Sequence, residues 1–211
     1  MSLLTLFPAI LSFIAVSVPD EGRDMYDAFV NKLANSFVSV SYEYETEISG
    51  VKVVGEGNLF LQGRCYRYDA DGLTVCSDSR SIWIADQAAR EMVIEPVDES
   101  SLAVNPATLL VNLAGAFTVK STKKAGDGAF ICHLLPAVSF GISECSITLT
   151  ASGTQGASCA APVLQKASFI TDDGTAFSLV IKSVTFEEPA RSPEFFLPSG
   201  TDSDWVVTDL R

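Results

Sequence analysis

A mainly β chain is predicted, with a strongly curved antiparallel sheet and helices plugging its concave side, and three observations carry that expectation. From Gly57 to Pro96 short apolar-and-polar segments alternate with Gly/Asp-rich breaks at nearly regular intervals. Strands this close cannot be joined by crossover helices, so they form an antiparallel meander. Strand-like patterning returns at Phe117 and runs to Phe186. Between and before these stretches lie just two helical patterns, too few to cover both faces of so long a sheet, so the sheet curls around them. A container with a helical plug is a binding architecture.

Taken in order, residues Leu3 to Val18 carry no charge and are followed by Pro19, Asp20 and Glu21. This is the pattern of a signal-peptide core, with the small residues Ala15 and Ser17 before a cleavage point near Val18. The alternative is an uncleaved anchor. The run is shorter than the ~20 residues a spanning helix needs, and Pro8 interrupts it. The expected organisation is a signal peptide over 1–17 and one domain over 18–211, exported to the periplasm and soluble there.

Met25, Tyr26, Phe29, Val30, Leu33, Ala34 and Phe37 then recur at helical spacing, with Asp20 or Asp24 as cap. The period switches to two at Val38 to Ile48, where Tyr42, Tyr44 and Thr46 alternate with glutamates. Ser49-Gly50 turns the chain into a strand from Val51 to Leu61. Further strands are read at Cys65 to Tyr68, Leu73 to Ser77, Ile82 to Ala85 and Arg90 to Ile94. Asn105 as cap, Pro106 and the residues to Leu113 make a short helix whose Leu109, Leu110 and Leu113 fall on one side. Strands resume at Phe117, Phe130, Ser146, Val163 and Ala176, and a Pro-punctuated tail ends the chain.

A net charge of -12 and a pI near 4.4 argue against nucleic acid and against a peripheral site on anionic lipid. Five cysteines fit an oxidising compartment. Cys65 and Cys76 lie symmetrically about the turn Asp69 to Gly72, which predicts a cross-strand disulfide. Cys132 and Cys145 flank a second hairpin, leaving Cys159 over. Zinc is the alternative, against which stand the lack of a CxxC and the single histidine, His133. The acidic pairs at Asp69/Asp71, Asp172/Asp173 and Asp202/Asp204 fall in turns, where backbone capping explains them. With no GxSxG and one histidine, no catalytic constellation is read. No cofactor and no metal are expected.

The residues singled out as cavity lining or lid are Tyr42, Tyr44, Leu59, Leu61, Trp83, Leu109, Leu110 and Leu113. Core packing is the plainer reading of each strand residue. For the three leucines a plug is favoured, since nothing else covers the meander.

The ordered set Gly57 to Gly63 (GxLxLxG), RCYRY, SDSRSIW, EMVIEP and NPATLL resembles the LolA-like periplasmic lipoprotein carriers. The closing SVTFEEPARSPEFFLPSG and DWVVTDLR look like the C-terminus of the Bacteroidetes-type members. The resemblance implies a half-open, strongly curved sheet closed by helices, whose apolar cavity receives lipoprotein acyl chains. It implies an inner-membrane lipoprotein-releasing transporter and an outer-membrane acceptor as partners, and a monomer is the simplest state for such a carrier. A binding or sensor protein of the same fold for another apolar ligand is the alternative. Family members latch the helical lid with an arginine where this chain has Gly63, so Arg64 and Arg67 stand as substitute latch candidates. Ser79 replaces the family's turn glycine.

Overall fold

The computed structural model describes residues 20–48, 50–97, 106–113, 115–137, 141–151, 161–198 and 204–211. The apolar N-terminal run, Asn105, Cys159 and Asp202 lie outside them.

Helix α1 (Glu21–Ala34) opens the described chain. Asp20 caps it, its carboxylate accepting from the Arg23 backbone N–H at 3.1 Å. The stripe was expected to reach Phe37, but the helix ends at Ala34 and Phe37 starts a strand. The meander follows as β1 (Phe37–Ile48), β2 (Val51–Gln62), β3 (Cys65–Ala70), β4 (Leu73–Ser77), β5 (Ser81–Asp86) and β6 (Glu91–Pro96). Helix α2 (Pro106–Asn112) separates it from β7 (Phe117–Lys124), β8 (Phe130–Pro136), β9 (Ile142–Ala151), β10 (Pro162–Thr171) and β11 (Ala176–Glu187), and β12 (Val206–Asp209) closes the chain.

All twelve strands form one sheet in the order β12-β6-β5-β4-β3-β2-β1-β11-β10-β9-β8-β7. Its two ends stay unpaired with each other, and it curves, because a single buried cluster joins α1 and α2 to residues of β1–β4 and β7–β11. The chain is mainly β, an open, curved sheet with few helices, as expected. Helix α1 packs on β7 to β10, and α2 packs on β2 and β3.

One pairing departs from the antiparallel expectation. After β11 the tail crosses the outer face, where Phe195 sits edge-on to Phe37 at 5.4 Å and to Phe60 at 5.7 Å. Gln62 and the Arg191 backbone exchange two hydrogen bonds of 2.9 and 3.0 Å. The chain then joins the far edge, where β12 runs parallel to β6. Having crossed over one face, it arrives in the same direction as β6.

The expected disulfide is corrected by the register. The β3–β4 turn pairs Ala70 with Leu73, a tighter turn than Asp69 to Gly72, which sets Cys76 opposite Arg67. Cys65 and Cys76 are therefore out of step across the hairpin, and both thiols are free. The same offset separates Cys132, which faces Ile147, from Cys145, which faces Leu134. In the next hairpin Ser79 takes the left-handed conformation (φ 77°), and the Asp78 carboxylate accepts from the backbone of Arg80 and Ser81 at 2.8 Å, so the turn forms without glycine.

Candidate functional site

On the concave face, alternation sends Val38, Val40, Tyr42 and Thr46 of β1 inward, opposed on β2 by Leu61, Leu59 and Gly57. Gly57 and Gly55 have a packing reason. A Cβ at Gly57 would lie 2.5 Å from the Tyr42 hydroxyl, and one at Gly55 would lie 2.5 Å from the Tyr44 ring. The two tyrosines of β1 thus lie across β2, and Tyr44 donates from there to the Asp71 carboxylate in the β3–β4 turn. Burial pushes the Tyr42 hydroxyl up, and the bond to Asp71 together with burial raises Tyr44 to about 12, so both stay neutral donors.

The next strands continue the floor. Tyr66 and Tyr68 of β3 stand opposite Leu61 and Leu59, and Val75, Ile82 and Ile84 follow on β4 and β5. Leu109, Leu110 and Leu113 are buried in one cluster with this floor. Tyr42, Leu59 and Leu61 are buried there too, and Tyr44 is partly buried against them. Trp83 is not among them: it pairs with Cys76 and Ile94 on the outer face, because Ile82 and Ile84 hold the inward positions of β5. Tyr66 and Tyr68 escaped the sequence reading. Their parity becomes readable once β3 is registered on Leu59 and Leu61.

Of the two latch candidates, Arg67 is tied to its own strand. Arg67 points outward, between the inward Tyr66 and Tyr68, and its guanidinium binds Asp69 at 3.1 and 3.2 Å. Arg64 is exposed in the β2–β3 turn. Gly63 itself has φ 60° in that turn, a conformation an arginine would adopt only with strain. The arginine that joins helix to sheet is Arg23 of α1, which donates to the Val119 carbonyl at 2.8 Å where the β7–β8 ladder is interrupted between Val119 and Ser121. Around it Thr122 donates to the Asp20 carboxylate at 2.7 Å, and the Cys132 thiol approaches the Gly22 carbonyl at 3.6 Å. Helix and strand meet closely here, since a Cβ at Gly22 would lie 2.7 Å from Thr122. The Tyr26 hydroxyl ties α1 to the residue just after α2, donating to the Leu113 carbonyl at 2.8 Å.

The described residues hold no activated nucleophile. Burial raises the Cys76 and Cys132 thiols to about 11 and Cys145 to about 12, so all three are protonated near neutrality. The outer face is different in kind: a depression of about 760 Å³ runs over Glu45, His133, Ser146, Lys166, Ser168 and Ser178. Its lining mixes these polar side chains with Leu135, Ile170 and Phe177, whereas the concave face is built from buried apolar side chains.

Among solved structures the chain is similar to an uncharacterized conserved protein from Thermus thermophilus, with a TM-score of 0.54 and 10% identity over 90% of this chain and 99% of that one. The two share a fold, an open, curved β-sheet with few helices. A LolA superfamily protein from Nitrosomonas europaea aligns with a TM-score of 0.49 and 9% identity over 85% of this chain and 99% of that one. A DUF1329 family protein from Desulfovibrio piger aligns at 0.48 and 8%, over 86% and 99%. Such identities bear on the fold alone. No family model and no curated protein matches the chain. Among the described residues no helix is long and apolar enough to cross a membrane.

Proposed function

We propose that the chain is an exported periplasmic carrier that binds the acyl chains of lipoproteins between the concave face and its helices and moves them from the inner to the outer membrane. One observation carries the reading: the apolar floor is covered by two separate helices, and α2 brings Leu109 and Leu110 to it, with Leu113 just beyond its end and Val111 packed against the same cluster. An acyl chain can replace leucine side chains one for one, since each buried methylene is worth about 0.8 kcal/mol in either. On this reading α2 is the plug that leaves, residues 1–17 are the signal peptide, and the partners are an inner-membrane transporter and an outer-membrane acceptor met by a monomer.

The test is release of a lipoprotein from inner-membrane vesicles by the purified protein in an ATP-dependent manner. Release supports the carrier, and its absence ends that reading. A passive binder or sensor for another apolar ligand is the second reading. It is favoured by the outward direction of Arg67 and by Gly63 standing where the family's strand carries its latch arginine. Mass spectrometry of extracted material that finds an apolar ligand, combined with no release, supports the binder.

A further inference from the structure

We infer that Tyr66 is a ligand-binding residue whose hydroxyl, on the concave floor of the strand that α2 packs against, donates a hydrogen bond to the ester carbonyl of an acyl chain entering the interior. The inference rests on the apolar-ligand reading above and deepens it, by naming the polar group that the interior recognises.

The hydroxyls of the inner tyrosines differ in one respect. Tyr26 donates to the Leu113 carbonyl, and Tyr44 donates to Asp71. Tyr66 is more than nine-tenths buried, with a relative exposure of 5%, and its hydroxyl has no hydrogen-bond partner among the described residues. Its cross-strand neighbours are Leu61 and Ser77, and it shares the buried cluster with Leu59, Val75, Leu109 and Leu110. A buried donor without an acceptor is costly and uncommon, which marks a position kept for something the free chain does not supply. Burial also pushes the hydroxyl well above its ordinary pKa, so it remains a donor at any physiological pH.

The surroundings select the acceptor. Hydrocarbon fills the apolar wall but cannot accept a hydrogen bond. A carboxylate could accept one, but it would carry an unpaired charge into a dry interior. A neutral ester carbonyl is the acceptor that arrives directly attached to an acyl chain, in a glyceride or in the diacylglyceryl group of a lipoprotein.

Binding of 1,2-dipalmitoylglycerol and of its diether analogue, which lacks both carbonyls, to the full chain and to Tyr66→Phe tests this. The wild type is expected to bind the ester roughly threefold to tenfold more tightly than the ether, and Tyr66→Phe is expected to lose that preference while still binding the ether. A diacylated lipopeptide as third probe distinguishes the source of the ester: weaker binding by Tyr66→Phe to whichever of the two esters is preferred supports the assignment. Equal ester preference in both proteins overturns the inference and leaves the apolar-ligand reading standing. No binding of any probe by the wild type overturns both. Thermal unfolding is a second check, since Tyr66→Phe should melt at or above the wild-type temperature. A clear drop would mean that the hydroxyl is already satisfied in the free protein and would also overturn the assignment.

Discussion

The two helices occupy the same concave face but are held differently. Helix α1 spans fourteen residues, is capped by Asp20 and bonds to β7 through Arg23, Asp20 and the Glu21–Lys124 pair. Helix α2 spans seven residues, too short to be stable alone, and rests on buried leucines, with a bond from Tyr26 received at Leu113 just beyond it. Polar bonds with fixed directions give α1 one position. Apolar burial is non-directional, so it sets no unique position for α2. On the proposed carrier reading, that difference makes α1 the scaffold and α2 the moving plug.

That contrast can be broken by substitution. Phe29→Ala, at a position 1% exposed on α1, is expected to cost about 3–5 kcal/mol of global stability in urea denaturation. Leu110→Ala on α2 is expected to cost less globally, about 2–3 kcal/mol, and to speed amide exchange at residues 109–113 more than anywhere in α1. Comparable global losses for the two would erase the distinction. Arg23→Met should follow at about 1–2 kcal/mol, the range for a lost hydrogen bond from a charged donor, with faster exchange confined to α1. Arg67→Met should leave both helices unchanged.

The smallest effect concerns pH. Bonds from the Thr122 hydroxyl and the Arg23 N–H hold the Asp20 carboxyl below its ordinary value of 3.8. The folded state thus favours the charged form, so the contribution is complete above the ordinary value and fades as pH falls through the lowered one. Acidification below about pH 4 should therefore loosen the start of α1 before α2, as read from amide exchange, and Asp20→Asn should flatten that dependence.

How much of this was legible in the sequence differs by element. The period switch at Val38, the stripe through Tyr26 and Phe29, and the NPATLL helix all read directly, because each is a local pattern. Seven of the eight lining candidates share the concave cluster or pack against it. Trp83 failed because SIWI allows either parity, and only its pairing with Cys76 decides it. The cysteine pairings failed for a related reason: centring a hairpin one residue off displaces every partner by two. Strand β12 left no burial pattern, since all four of its residues are exposed. The Arg23 bond joins residues 96 apart at an interruption in a ladder, and no local pattern announces that.

Amide hydrogen exchange of the full chain with and without a diacylated lipopeptide tests the exchange of α2 for hydrocarbon most directly. Residues 109–113 are expected to lose protection on binding while residues 24–33 keep theirs. Equal loss in both helices, or binding that leaves residues 109–113 as protected as before, would contradict the division into scaffold and plug.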